Sequence, residues 1–208
     1  MKLNFLMIAF LILLLNFQCK AQTHTINMAG DNIAYAHGYL STGQYYIKDI
    51  NNNLDNFIGT WEYVNGNEKF QIIFTKVIKH HKISSISNSN YYEDGIKYIY
   101  KKYVNNVLVF TSPARDYPSF RTKDGILLEG SIKDYGRITK NVYVPLANKL
   151  IYPGGGPVDA RCKITKLSAN QIKFYLYLRD HFPNYDDETY AGQPLFSVPN
   201  DIIMTKVP

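Results

Sequence analysis

Ile172-Lys173-Phe174-Tyr175-Leu176-Tyr177-Leu178-Arg179 alternates with period two along its whole length. Ile172, Phe174, Leu176 and Leu178 share one side, while Lys173, Tyr175, Tyr177 and Arg179 share the other. Successive side chains of a strand point to opposite faces, so this stretch reads as a strand with one face in a core and one toward water. Just upstream, Cys162 to Lys166 has strand character and Ser168 to Gln171 has turn composition, which predicts a hairpin.

The same period recurs upstream. In Phe70 to Ile78, one face holds Phe70, Ile72, Phe74 and Ile78, interrupted by Lys76. In Ile96 to Tyr103, Tyr98 and Tyr100 join Ile96 on one face, with Lys97 and Lys101 on the other. Asn105-Asn106 follows between Val104 and Val107, and Asn tolerates the left-handed conformations of a two-residue hairpin turn. Pairing with Val107 to Thr111 is therefore predicted. Gly125 to Ile132 and Asp201 to Val207 add two strands, and Val142 to Val144 and Leu150 to Tyr152 are weaker additions. About eight to ten short strands at this spacing predict an all-β domain, either an antiparallel barrel or a strongly curved sandwich.

The first residues set the address. Lys2 precedes an apolar run from Phe5 to Leu15 that ends in Cys19-Lys20-Ala21-Gln22. A bilayer span needs about 18 or more apolar residues, so this run reads as a cleaved export leader rather than an anchor, and no transmembrane segment is expected in the mature protein. Cleavage after Ala21 suits a peptidase that wants small residues before the cut. The alternative is cleavage before Cys19 with lipid attached to its sulfur, although Phe17 and Gln18 are bulky for that processing. The chain thus divides into a leader at 1–21, an irregular arm at 22–53, and a single β domain at 54–208. The expected location is secreted or periplasmic, or lipid-anchored at the outer membrane if Cys19 is kept.

Composition narrows the function classes. The 208 residues carry a formal charge of +6, of which Lys2 and Lys20 in the leader account for two, leaving +4. Nucleic-acid binding needs a clustered basic face, which is not expected here. Of two cysteines, one lies in the leader, so Cys162 reads as a small buried hydrophobe rather than half of a disulfide.

Candidate chemistry is sparse. His80 and His81 are strand neighbours and point to opposite faces, so they cannot readily share a metal. Asp180, His181, Asn184, Asp186, Asp187 and Glu188 offer oxygen ligands for calcium but lack the spacing of an EF-hand, and a solvated acidic loop is the simpler reading. Gly154 to Gly156 lacks the Lys and Ser or Thr of a phosphate loop, and no Gly-x-Ser-x-Gly turn occurs. The Lys and Tyr residues of Lys97 to Tyr103 could stack on anionic sugars or lipid head groups, but they equally cover an exposed sheet face. No catalytic signature and no cofactor are expected.

Two resemblances accompany these readings. Gly59-Thr60-Trp61, within Leu54 to Tyr63, resembles the Gly-x-Trp opening of lipocalin-like barrels, which implies a Trp closing one barrel end beneath a ligand cavity. Cys19-Lys20-Ala21-Gln22, Tyr46 to Trp61 with Ile47-Lys48-Asp49-Ile50, and Asp201 to Lys206 resemble a family of small exported Bacteroidota proteins known only as a domain of unknown function. That second resemblance implies no activity.

The expected role is a non-enzymatic, lipocalin-like binding protein for a small apolar or amphipathic molecule. Trp61, Phe70, Ile72, Phe74, Tyr98, Tyr100, Phe174 and Leu176 would line its interior. The alternative is an envelope or surface interaction protein whose aromatic residues fill the barrel completely.

Overall fold

The computed structural model describes residues 24–30, 40–138, 157–177 and 196–208, with the short paired segments 143–144, 149–150, 189–190 and 193–194. The stretch expected to be a leader, with Cys19, and the stretch expected to be an acidic loop fall outside the described residues. In chain order the strands are β1 (His24–Asn27), β2 (Tyr45–Lys48), β3 (Gly59–Asn65), β4 (Glu68–Ser84), β5 (Ser89–Val104), β6 (Val107–Thr111), β7 (Phe120–Thr122) and β8 (Leu127–Ile138). They continue with β9 (Tyr143–Val144), β10 (Lys149–Leu150), β11 (Pro157–Lys166), β12 (Gln171–Tyr177), β13 (Thr189–Tyr190), β14 (Gln193–Pro194) and β15 (Ile202–Val207).

Eight of these strands close an antiparallel barrel, which decides between the two expected architectures. The ring runs β3, β4, β5, β7, β8, β11, β12, β15 and back to β3, so chain neighbours are also sheet neighbours. Closure abolishes the free edges that an open sheet would expose. One turn of 3-10 helix at Asn53–Asn56 leads into β3. No helix of the described residues is long and apolar enough to cross a membrane.

The period-two segments put their apolar faces inside. Phe70, Ile72 and Phe74 of β4, Ile96, Tyr98 and Tyr100 of β5, and Ile172, Phe174 and Leu176 of β12 are all buried. Burying each such side chain contributes about 1.5–3 kcal/mol. The hairpin of β11 and β12 pairs Cys162 with Leu176 and Ile164 with Phe174, as the opening stretch predicts. Asn105 and Asn106 have φ of 50° and 63°, and β6 folds back on β5 through Val104 and Val107. Leu178 and Arg179 lie outside the described residues.

The structure turns Ile78, expected on the inward face of β4, toward solvent. Ile78 is 69% exposed, because the ladder between β4 and β5 shifts register between Val77 and His80. Lys79 takes φ 54° there and its amide donates to Asp94 Oδ1 at 2.9 Å. A bulge of this kind inverts the alternation beyond it. The arm also contains more order than its composition suggests. β1 and β2 lie parallel, and β2 lies parallel to β5 through Tyr46 and Tyr92. Four-residue strands are too short to print a period.

The barrel is narrowest in its bonding where β5 meets β7, which share the single register pair Ile96 and Phe120. β7 is three residues long and β8 twelve, so backbone pairing cannot run the length of this seam. Tyrosines bridge the remainder: Tyr98 Oη accepts the Lys133 amide at 2.8 Å, and Tyr100 Oη accepts the Tyr135 amide at 3.1 Å. Gly130 lets β7 approach, since a Cβ there would lie 2.2 Å from the Ser119 carbonyl oxygen.

Candidate functional site

All eight residues expected to line the interior are buried. Their rings touch one another: Phe70 lies 5.8 Å from both Tyr100 and Phe174, and Phe120 lies 5.5 Å from Phe74 and 5.6 Å from Tyr98. Centroid separations of this size are those of packed aromatic pairs. Cys162 is buried among them, and burial pushes its thiol well above the usual range.

Trp61 is fully buried near the start of β3. Its indole Nε1 donates to the Phe57 carbonyl at 2.7 Å, and Lys206 Nζ sits 5.4 Å from its ring centroid. Gly59, at φ 120°, makes the tight approach into β3. Nearby, three carboxylates are buried: Asp49, Glu93 and Asp94. Asp94 accepts from the Tyr46 hydroxyl at 2.6 Å, the Lys79 amide at 2.9 Å and the Asp49 amide at 3.0 Å. Asp49 accepts from the Asn53 and Leu54 amides at 2.8 and 3.0 Å, and its Oδ2 lies 3.1 Å from Lys76 Nζ. Glu93 pairs with Arg121. Burial first, and the Asp94 carboxylate second, push the Tyr46 phenol upward. Asp49 and Asp94 tie β2, the 3-10 turn and the β4 bulge together, and the lone pairs of the three carboxylates are committed to backbone, tyrosine, lysine and arginine donors.

His81 bonds Asn90 at 2.8 Å and stacks on Tyr92 at 4.3 Å. Among the described residues no three His, Cys, Asp or Glu side chains converge as a metal site would require.

A groove of about 660 Å³ runs between the β3–β4 turn, the end of β5, β6 and the stretch Phe196 to Ile202. Phe70, Phe196, Val198 and Ile202 give it apolar surface, while Lys69, Lys102 and Asn200 supply polar groups. Of the eight expected residues, Phe70 alone also lines this groove. Its far wall is held from β8: buried Asp134 accepts both the amide and the hydroxyl of Ser197. Lys102 Nζ donates to Ser197 Oγ at 2.9 Å and to the Ser197 carbonyl. Asn200 replaces a strand, taking the Leu176 amide at 2.6 Å and returning a bond to the Leu176 carbonyl at 3.1 Å. On the near wall, Lys69 Nζ lies 4.6 Å from the Tyr103 ring centroid and 3.8 Å from Glu62. The groove therefore combines apolar floor with both charge signs at its rim, which suits an amphipathic molecule.

A family model described as a family of unknown function, DUF6705, matches residues 1–207. The chain belongs to the DUF6705 family. No curated protein and no solved structure matches it. For DUF6705 this chain supplies a closed barrel whose candidate site lies at one end. Sequence reasoning missed the groove because Lys102, Asp134 and the pair Ser197 and Asn200 come from three separate parts of the chain. The short run Phe196-Ser197-Val198, apolar on both sides of a serine, was the one local hint.

Proposed function

We infer that this DUF6705 chain is an exported, non-catalytic binding protein that holds a small amphipathic molecule in the groove at the barrel end. The observation that carries the reading is the groove itself, about 660 Å³ with Phe70, Phe196 and Val198 beneath Lys69 and Lys102. Ligand sites of small molecules commonly measure about 300–1,000 Å³ and pair apolar lining with a few convergent polar groups. The packed rings of Phe70, Tyr100 and Phe174 act as a rigid base beneath that site. A binding role is preferred to catalysis because the buried carboxylates Asp49, Glu93 and Asp94 are occupied by structural donors. Export is supported by Lys2 ahead of the apolar run Phe5 to Leu15, which reads as a leader cleaved after Ala21 or before a lipidated Cys19.

Native mass spectrometry of the protein purified from its host, before and after denaturation, tests this. A discrete small mass released on unfolding, and absent from Val198→Trp, is the expected result, since an indole at that position fills the groove. A bare chain in both states, with wild-type and variant alike, would shift the reading to a surface interaction protein with a solid barrel. The exposed strand β6, where Val107, Leu108 and Val109 face solvent, would then be the place to crosslink.

A further inference from the structure

Among the described residues, two buried side-chain polar atoms have no hydrogen-bond partner, Arg115 Nη2 and Ser119 Oγ. Both belong to the loop between β6 and β7, beside the seam bridged by Tyr98 and Tyr100. Arg115 retains 9% of its surface. Its guanidinium is flanked by two rings, with Cζ 5.3 Å from the Tyr98 centroid and 5.4 Å from the Tyr117 centroid. The ion pairs of the described residues involve Lys69, Lys76, Lys82, Arg121 and Lys173, not Arg115.

This arrangement leaves one thing missing. The donors of a guanidinium point outward in its plane, whereas ring faces contact it from above and below. The Tyr98 hydroxyl is held at the Lys133 amide, and no hydrogen bond joins it to Arg115 Nη2. A buried guanidinium nitrogen without an acceptor is destabilising, and folds hydrogen-bond such groups. Arg121 shows the contrast, since it is bonded to both Glu93 and the Tyr91 hydroxyl.

We propose that Arg115, with Ser119 Oγ in the same loop as a second donor, binds the carboxylate of a small monoanionic ligand. A planar group with two oxygens matches the fork of the guanidinium in its plane. A single cation neutralises a single negative charge, which favours a monoanion over a phosphate dianion. The site is separate from the groove and does not depend on the groove being occupied.

The test uses the protein as its host processes it, titrated with acetate and with benzoate at constant ionic strength, and with phosphate and sulfate as comparison anions. The readouts are melting temperature and the side-chain nitrogen resonances of arginine. A saturating response to the carboxylates is expected, weakened about tenfold or more in Arg115→Met, as loss of a charged hydrogen-bond pair implies. Without added anion, Arg115→Met should melt at or above the wild type, because an apolar chain replaces an unpaired charge. Tyr117 is 48% exposed, so Tyr117→Leu leaves the fold intact and should weaken binding several-fold; it decides the matter if Arg115→Met does not fold. A response that never saturates, or is equal in the wild type and Tyr117→Leu, overturns the site. Tighter binding of phosphate or sulfate overturns the carboxylate assignment.

Discussion

The phenol oxygen of Tyr98 lies 2.8 Å from the backbone nitrogen of Lys133, so a side chain of β5 completes the ladder of β8 across the barrel seam. Tyr100 and Tyr135 repeat the relationship two residues on, at 3.1 Å. Removing either hydroxyl leaves an amide without its acceptor. Tyr98→Phe and Tyr100→Phe should each destabilise by about 1–3 kcal/mol in urea unfolding, while Tyr175→Phe on the outer face should stay within about 0.5 kcal/mol.

The same tyrosines set an alkaline limit. Burial pushes Tyr100 up to about 12, and pushes Tyr46 and Tyr98 upward as well. In the unfolded chain these phenols titrate near 10. Above that pH the native state holds protons that the unfolded state releases. Their contribution is therefore complete below about pH 10 and is lost as pH rises toward 12. Urea midpoints measured across that interval should fall, and more shallowly for Tyr100→Phe. A flat profile would contradict the burial of these hydroxyls.

Close approach at Gly130 makes a separate forecast. A methyl group there meets the Ser119 carbonyl at 2.2 Å and Phe120 Cδ1 at 2.4 Å, both on the β7 side of the ring. Gly130→Ala should cost about 1–3 kcal/mol through backbone displacement, read as a lowered denaturation midpoint. Cysteine labelling should report it too, since Cys162 pairs in register with Gly130 and would react faster if the ring loosens.

At the turn of β5 and β6, Asn106 holds φ 63°. Asn106→Ala should destabilise by about 1 kcal/mol and Asn106→Gly by little, because only the former pays the steric penalty of a left-handed residue with a Cβ. Thermal melts of the two variants separate this from loss of the Asn side chain, which both share.

Trp61 is the sole tryptophan, and it is fully buried with its indole bonded to Phe57. Its fluorescence should be blue-shifted and poorly quenched by iodide in the native state. Trp61→Phe removes both the bond and part of the buried ring volume, and about 2 kcal/mol of stability should go with them.

What the chain reveals unaided follows from how each element is specified. Ile172 to Leu176 and Phe70 to Phe74 announce themselves because each has one wet and one dry face along several residues. Asn105-Asn106 is equally legible, since its turn chemistry is local. Ile78 is not, because its direction depends on a bulge fixed by Asp94, sixteen residues away and on another strand. Three-residue β7 is too short for any period, so ring closure at Ile96 and Phe120 could not be foreseen. The groove wall rests on Asp134 reaching Ser197, a pairing that only the folded ring creates. The aromatic interior was readable as a set of residues, whereas the position of the groove was not.

The ring's last joint, between Trp61 in β3 and Lys206 in β15, links the two ends of the barrel's own strand sequence. During synthesis from the N-terminus, β3 waits for almost all of the domain before its second neighbour exists. Until then two sheet edges stand open, and the slow search is for a contact between distant parts of the chain. Loss of Ile202–Val207 would strip the partner from both β3 and β12 at once. The six residues of β15 thus act as a latch on a cylinder, and the kinetics of this protein should be governed by when that latch closes.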